Sequence, residues 1–176
     1  STHYSIYHSP SFSTNISLDW SIRRPIFSVD LGLDCMDDII TYDEYYKALC
    51  VLNVSGNSNV SIDYSDHGDV KYIQAVYGID YNGDGFKDAV IVWGDNTIDN
   101  TKRSFLIDVL FGNNFTLKTV ASDNRTFYSV AIGNFDMDSS PEAIFAGYYS
   151  GFALYDVGGN EYLMNISEGG KLIGII

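Results

Sequence analysis

The 176-residue sequence lacks any apolar run of 18 or more residues, so no segment reads as a membrane-spanning helix. The polar stretch 1–19 has no basic start followed by an apolar run, so it does not read as a signal peptide, just as a mature or trimmed chain would not. Basic residues are scarce: 10 Lys and Arg stand against 23 Asp and Glu, for a formal net charge of −13. With no basic stripe, nucleic acid is not an expected partner, because a polyanion is repelled. Glutamate is nearly missing as well, standing only at Glu44, Glu142, Glu161 and Glu168. A surface acidified for solubility draws on both acids; aspartate set among Gly and Asn points to turns or to oxygen-ligand metal loops. Of the three histidines, His3 and His8 lie in the polar start, and His67 in Ser65-Asp-His-Gly68 reads as an exposed turn residue. No catalytic triad or zinc set assembles around them. The only cysteines, Cys35 and Cys50, cannot make a zinc site alone. They are either a disulfide in an oxidising compartment or two buried thiols.

What is present is enough for a packed core: 45% hydrophobic residues, 15% of the chain being aromatic. Six Asn-x-Ser/Thr sequons occur, at Asn15, Asn53, Asn59, Asn114, Asn124 and Asn165. Chance would place about two in a chain of this composition. The excess favours an extracellular glycoprotein over the plainer reading, that Asn, Ser and Thr crowd into β-turns and match by accident. Tyrosines such as Tyr42, Tyr45, Tyr46, Tyr148 and Tyr149 can stack on a sugar or protein partner, or pack between strands.

The chain repeats three times. Asp30-Leu-Gly-Leu-Asp-Cys-Met-Asp-Asp38, Asp80-Tyr-Asn-Gly-Asp-Gly-Phe-Lys-Asp88 and Asn134-Phe-Asp-Met-Asp-Ser-Ser-Pro-Glu142 align without gaps, and their starts are 50 and 54 residues apart. Each carries an oxygen-bearing side chain at positions 1, 5 and 9. Short apolar runs flank each loop: 26–29 and 39–42, 74–77 and 89–93, 128–132 and 143–146. These runs are β-branched, aromatic and bounded by turn residues, which is a strand signature. Two further runs fill each interval, such as 104–111 and 115–120, joined by hairpin chemistry at Gly112-Asn113-Asn114. No stretch has a helical period. The expectation is therefore all-β: a β-propeller-like array of four-stranded antiparallel blades. Tandem β-sandwiches are the runner-up. The phasing sets blades at 25–65, 71–121 and 126–167. It makes 1–24 an N-terminal segment whose 15–20 stretch ends a preceding blade, and 171–176 the first strand of a following one. On that reading the chain is a window on a longer array.

A hard cation such as Ca²⁺ takes six to eight oxygens at about 2.3–2.6 Å. A nine-residue loop can offer side chains from positions 1, 3, 5 and 9 and the carbonyl of position 7. In loop two these are Asp80, Asn82, Asp84, Asp88 and the carbonyl of Phe86, with Gly83 and Gly85 where the chain must bend. Loop three offers Asn134, Asp136, Asp138, Glu142 and the carbonyl of Ser140; loop one offers Asp30, Asp34, Asp38 and the carbonyl of Met36. An EF-hand is excluded, because it needs a bidentate Glu at position 12 between two helices, and position 12 of loop two is Ile91 in an apolar run. Metal-free Asp/Asn turns are the alternative, at the cost of carboxylates held close together.

Gly78 through Val92 resembles the calcium loop of FG-GAP/VCBS repeats, the β-propeller blades of integrin α-type proteins. Gly133 through Ile144 is similar, with Pro141 at position 8 and Glu142 replacing Asp at position 9. Loop one departs: Gly32 has no side chain at position 3, and Cys35 replaces the usual Gly at position 6. The resemblance implies calcium as a structural ligand and an extracellular module of adhesion, binding or surface structure. Its partner would be a protein, a glycan or another copy of the chain. The second hypothesis is the propeller part of a secreted carbohydrate-active enzyme. No cluster of general acid and base residues marks one face, so no catalytic residue is assigned. One further expectation concerns Cys35 and Cys50. A tight turn at Asp43-Glu44 would pair Cys50 near Asp37 and bring the two cysteines within the 4.4–6.8 Å Cα separation of a disulfide.

Overall fold

A computed structural model describes residues 6–7, 13–14, 27–31, 34–43, 46–53, 58–67, 72–94, 105–123, 129–135, 140–147, 151–157 and 161–166. Among these the chain is all-β apart from one 3-10 turn at Ser65–His67. No helix is long and apolar enough to cross a membrane. A two-residue hairpin of β1 (Ile6–Tyr7) and β2 (Ser13–Thr14) comes first and was not expected. Three four-stranded antiparallel sheets follow, each a meander in chain order. The first holds β3 (Phe27–Val29), β4 (Asp38–Asp43), β5 (Ala48–Asn53) and β6 (Ser58–Asp63). In the second are β7 (Tyr72–Ile79), β8 (Asp88–Gly94), β9 (Phe105–Leu110) and β10 (Leu117–Asp123). The third comprises β11 (Ser129–Gly133), β12 (Glu142–Gly147), β13 (Gly151–Asp156) and β14 (Glu161–Ile166). The half-blades expected over 15–20 and 171–176 lie outside the described residues.

Period-two alternation sorts the middle sheet's side chains between two cores. From β8, Ala89, Ile91 and Trp93 join Ile40, Tyr42, Leu49 and Val51 of the first sheet. The intervening Val90 and Val92 join Ala143, Phe145 and Tyr155 of the third. Every residue of β8 and β9 is buried, which explains why Ala89-Val-Ile-Val-Trp93 reads as a continuous apolar run. Aromatic contacts clamp both seams. Tyr42 meets Trp93 edge-on with centroids 5.7 Å apart, and Phe105 stacks on Phe145 at 4.2 Å. Of the tyrosines considered as ligand stacks, Tyr42 is thus core, whereas Tyr46 is 72% exposed.

The first strands of the three sheets are neighbours, with β7 between β3 and β11. The approach is tight enough that a Cβ on Gly78 would fall 2.4 Å from Val29 Cγ2. Gly78 is therefore required by the Val29 side chain packed against it and not by its own dihedrals.

The cysteine expectation needs correction. The β4–β5 hairpin pairs Asp43 with Ala48 and Thr41 with Cys50, so Cys50 lies opposite Thr41 and not near Asp37. A four-residue connection, longer than the assumed tight turn, shifts the register. Cys35 is exposed, Cys50 is buried, and both are free thiols. Burial and the charge of Asp43 push the Cys50 thiol up to about 12, leaving it protonated.

Candidate metal-binding loops

Each predicted loop joins the first two strands of a sheet, so all three occupy the same place in the meander. They share one closure. The position 9 carboxylate opens the second strand, is fully buried, and accepts the backbone N–H of position 2. The contacts are Leu31 N to Asp38 Oδ2 at 3.2 Å, Tyr81 N to Asp88 Oδ2 at 3.0 Å and Phe135 N to Glu142 Oε2 at 2.6 Å. Burial of a carboxylate is tolerable only with such donors. Sequence reading assigned position 9 a ligand role alone and missed this structural one. Glu142 makes the same closure as the two aspartates.

Loop two is the most complete. Asp80 Oδ1 accepts the N–H of Gly83 (2.8 Å) and of Asp84 (3.1 Å), and Oδ2 that of Gly85 (2.9 Å). Asn82 Oδ1 accepts from Asp84 N at 2.9 Å, and Asp84 Oδ1 from Phe86 N at 2.8 Å. These nested turns need left-handed backbone at Gly83 and Gly85, whose φ values are 73° and 89°. The β9–β10 turn completes the surround: Gly112 N donates to Asp88 Oδ1 at 2.9 Å and Asn113 Nδ2 to Asp84 Oδ2 at 2.5 Å. Gly112 and Asn113 read as hairpin residues in the sequence. Their reach into loop two depends on the Ala89–Leu110 register, which sets that turn beside Asp88.

The donor set is all oxygen and suits a hard cation. Burial pushes the Asp88 carboxyl up, against the pull of the Gly112 and Tyr81 amides; the charges of Asp84 and Asp80 push the same way as burial. Three carboxylates thus lie close enough to repel one another, and each oxygen that accepts one amide keeps a second lone pair. Among the described residues no three His, Cys, Asp or Glu side chains form a ready-made metal cluster. The loop is ordered around its own amides, with Asn82 and Asp84 exposed, Asp80 half-buried and Asp88 buried.

Loop one keeps part of the pattern. Asp34 Oδ1 accepts Met36 N at 2.8 Å, as Asp84 does Phe86 N. Cys35 has φ 61°, reproducing at a non-glycine residue the left-handed step of Gly85. Asp30 differs from Asp80: Oδ2 faces Lys87 Nζ at 3.6 Å, and Oδ1 is buried without a hydrogen bond. In loop three Asn134 is exposed, while Asp136 and Asp138 lie outside the described residues.

His67 departs from its expected place. It is 5% exposed, between Tyr64 and Trp93, whose ring centroids lie 5.7 and 5.8 Å away. Nδ1 is 2.6 Å from Asp66 Oδ1 and Nε2 is 2.5 Å from Asp108 Oδ2. Asp108, itself fully buried, also accepts Trp93 Nε1 at 2.7 Å and Thr119 Oγ1 at 2.8 Å. The one signal available in the sequence was an aspartate inside an apolar strand, Phe105-Leu-Ile-Asp-Val-Leu110, which demands a buried partner. Of the sequons, Asn59 on β6 and Asn114 in the β9–β10 turn are exposed. The side chains of Asn15, Asn53, Asn124 and Asn165 lie outside the described residues. Comparison with models of known protein families, with curated proteins and with solved structures returned no match.

Proposed function

We propose that the chain is a calcium-binding repeat module of a secreted or cell-surface protein, built as propeller-like blades and serving adhesion, binding or surface structure. The observation that carries the reading is loop two. Asp80, Asn82, Asp84 and Asp88 are gathered by nested amide bonds onto one turn, in a sequence that resembles the FG-GAP/VCBS loop. The adjacency of β3, β7 and β11 supports the blade arrangement, since blades contribute their first strands to a common axis. Exposure of Asn59 and Asn114 leaves two sequons open to glycan attachment.

Asp80, Asn82, Asp84, Asp88 and the Phe86 carbonyl would hold the ion, which would supply a fixed positive charge beside the loop's carboxylates. The chain's own residues pre-form the turn: Gly83 and Gly85 bend it, and Asp88 ties it to the sheet. The test is thermal unfolding with calcium and with chelator. Calcium at about 100-fold above its Kd contributes about 2.7 kcal/mol. In a chain of this size that is a rise of about 5–10 °C in Tm. Asp84→Ala should blunt that response, leaving the part due to loop three. Identical melting curves with and without chelator would overturn the proposal.

A further inference from the structure

We propose that loop one holds no metal and is served by an internal cation, the ammonium of Lys87 from loop two. The inference rests on the calcium reading of loop two and turns on how differently the two position 1 carboxylates are used. Asp80 faces inward and accepts three amides of its own loop. Asp30 accepts no hydrogen bond at its buried Oδ1, and its Oδ2 faces Lys87 Nζ at 3.6 Å. Its side chain is 12% exposed, so the carboxylate is largely withdrawn from water and requires a positive charge. Lys87 is placed to supply it. It stands between the carbonyl donor Phe86 and the closing carboxylate Asp88, on a loop whose strand β7 lies against β3. The ammonium keeps about half its exposure and so loses little hydration in making the contact.

The remaining donors of loop one do not add up to a calcium site. Gly32 has no side chain at position 3, and Asp30 is engaged elsewhere. Asp34, Asp38 and the Met36 carbonyl remain, well short of the six to eight oxygens calcium takes. The repeat therefore keeps the turn, including its left-handed step at Cys35, and replaces the ion by a lysine from the next repeat.

Calorimetric titration of the 176-residue chain with calcium alone reads the stoichiometry. About two ions per chain are expected, from loops two and three. Asp30→Asn should leave that number unchanged, and Asp84→Asn should lower it by one. Loss of an ion in Asp30→Asn would overturn the proposal. Thermal unfolding in chelator decides the pairing separately. Lys87→Gln, Asp30→Asn and the double variant should be non-additive, the double falling no further than the worse single. Strict additivity would overturn the pairing. If no ion binds to any variant, the calcium reading of loops two and three fails, while the unfolding cycle still decides the role of Lys87.

Discussion

At His67 both ring nitrogens face carboxylate oxygens, Asp66 at 2.6 Å and Asp108 at 2.5 Å. A neutral imidazole donates from one nitrogen only, so holding both contacts requires the doubly protonated ring. Burial alone would lower the His67 pKa; the hydrogen bonds and charges of Asp108 and Asp66 outweigh it and hold it above its ordinary value. Asp63 is the third acid near the ring, and its carboxylate accepts Ser65 N at 2.8 Å. The sign follows from linkage. With the folded pKa raised above an unfolded value of about 6.5, the stabilisation is fully present below that pH and is lost as pH rises through the folded pKa. Melting temperature at fixed calcium should fall from pH 6 to pH 8.5 more steeply in the native chain than in His67→Gln. Equal slopes would show that His67 does not carry the dependence. His67→Gln should also lower stability outright by about 3 kcal/mol, because it leaves the Asp108 charge buried with only Trp93 and Thr119 as donors.

At the scale of the element, position 6 of the loop separates geometry from residue type. Gly85 sits at φ 89° and Cys35 at φ 61°, the same step in two repeats. Left-handed backbone costs a non-glycine residue about 1–2 kcal/mol, while glycine's extra freedom in the unfolded chain costs about 0.5–1 kcal/mol. Gly85→Ala should therefore destabilise by about 1–2 kcal/mol, and Cys35→Gly should be neutral to stabilising by up to about 1 kcal/mol. Urea unfolding in calcium-free buffer measures both; a loss of stability in Cys35→Gly would contradict the argument. The shared closure by Asp38, Asp88 and Glu142 belongs to the same scale. One buried carboxylate ties each loop to the strand that follows it, whatever ion the loop does or does not hold.

Across the whole molecule the middle sheet is covered on both faces, by the first sheet through Tyr42 and Trp93 and by the third through Phe105 and Phe145. Arrays of this kind are stabilised chiefly by intrinsic repeat terms and nearest-neighbour interfaces. Phe145→Ala should cost about 3–5 kcal/mol, concentrated on the seam between the second and third sheets. Hydrogen exchange should rise most in β12 and β13 and least in β4 and β5. Uniform loss of protection across all three sheets would mean that the array unfolds as one unit.

The three-fold repeat, the strand content and the place of the loops between strands were legible in the sequence because each rests on local chemistry. Alternating β-branched and aromatic residues make strands whatever surrounds them, and Asp, Asn and Gly at fixed spacing make a turn through bonds within nine residues. The second sheet runs from Tyr72 to Asp123. Tertiary structure decided the rest. The Cys50 register depended on a hairpin connection two residues longer than assumed, which moves its cross-strand partner four positions, from Asp37 to Thr41. His67 moved from an expected surface turn to a buried pair because Asp108 lies 41 residues away and needs a donor once its strand is covered. Asp30 met Lys87 only because the two loops belong to sheets whose first strands are neighbours. Contacts between repeats depend on how sheets stack, and no local periodicity encodes them.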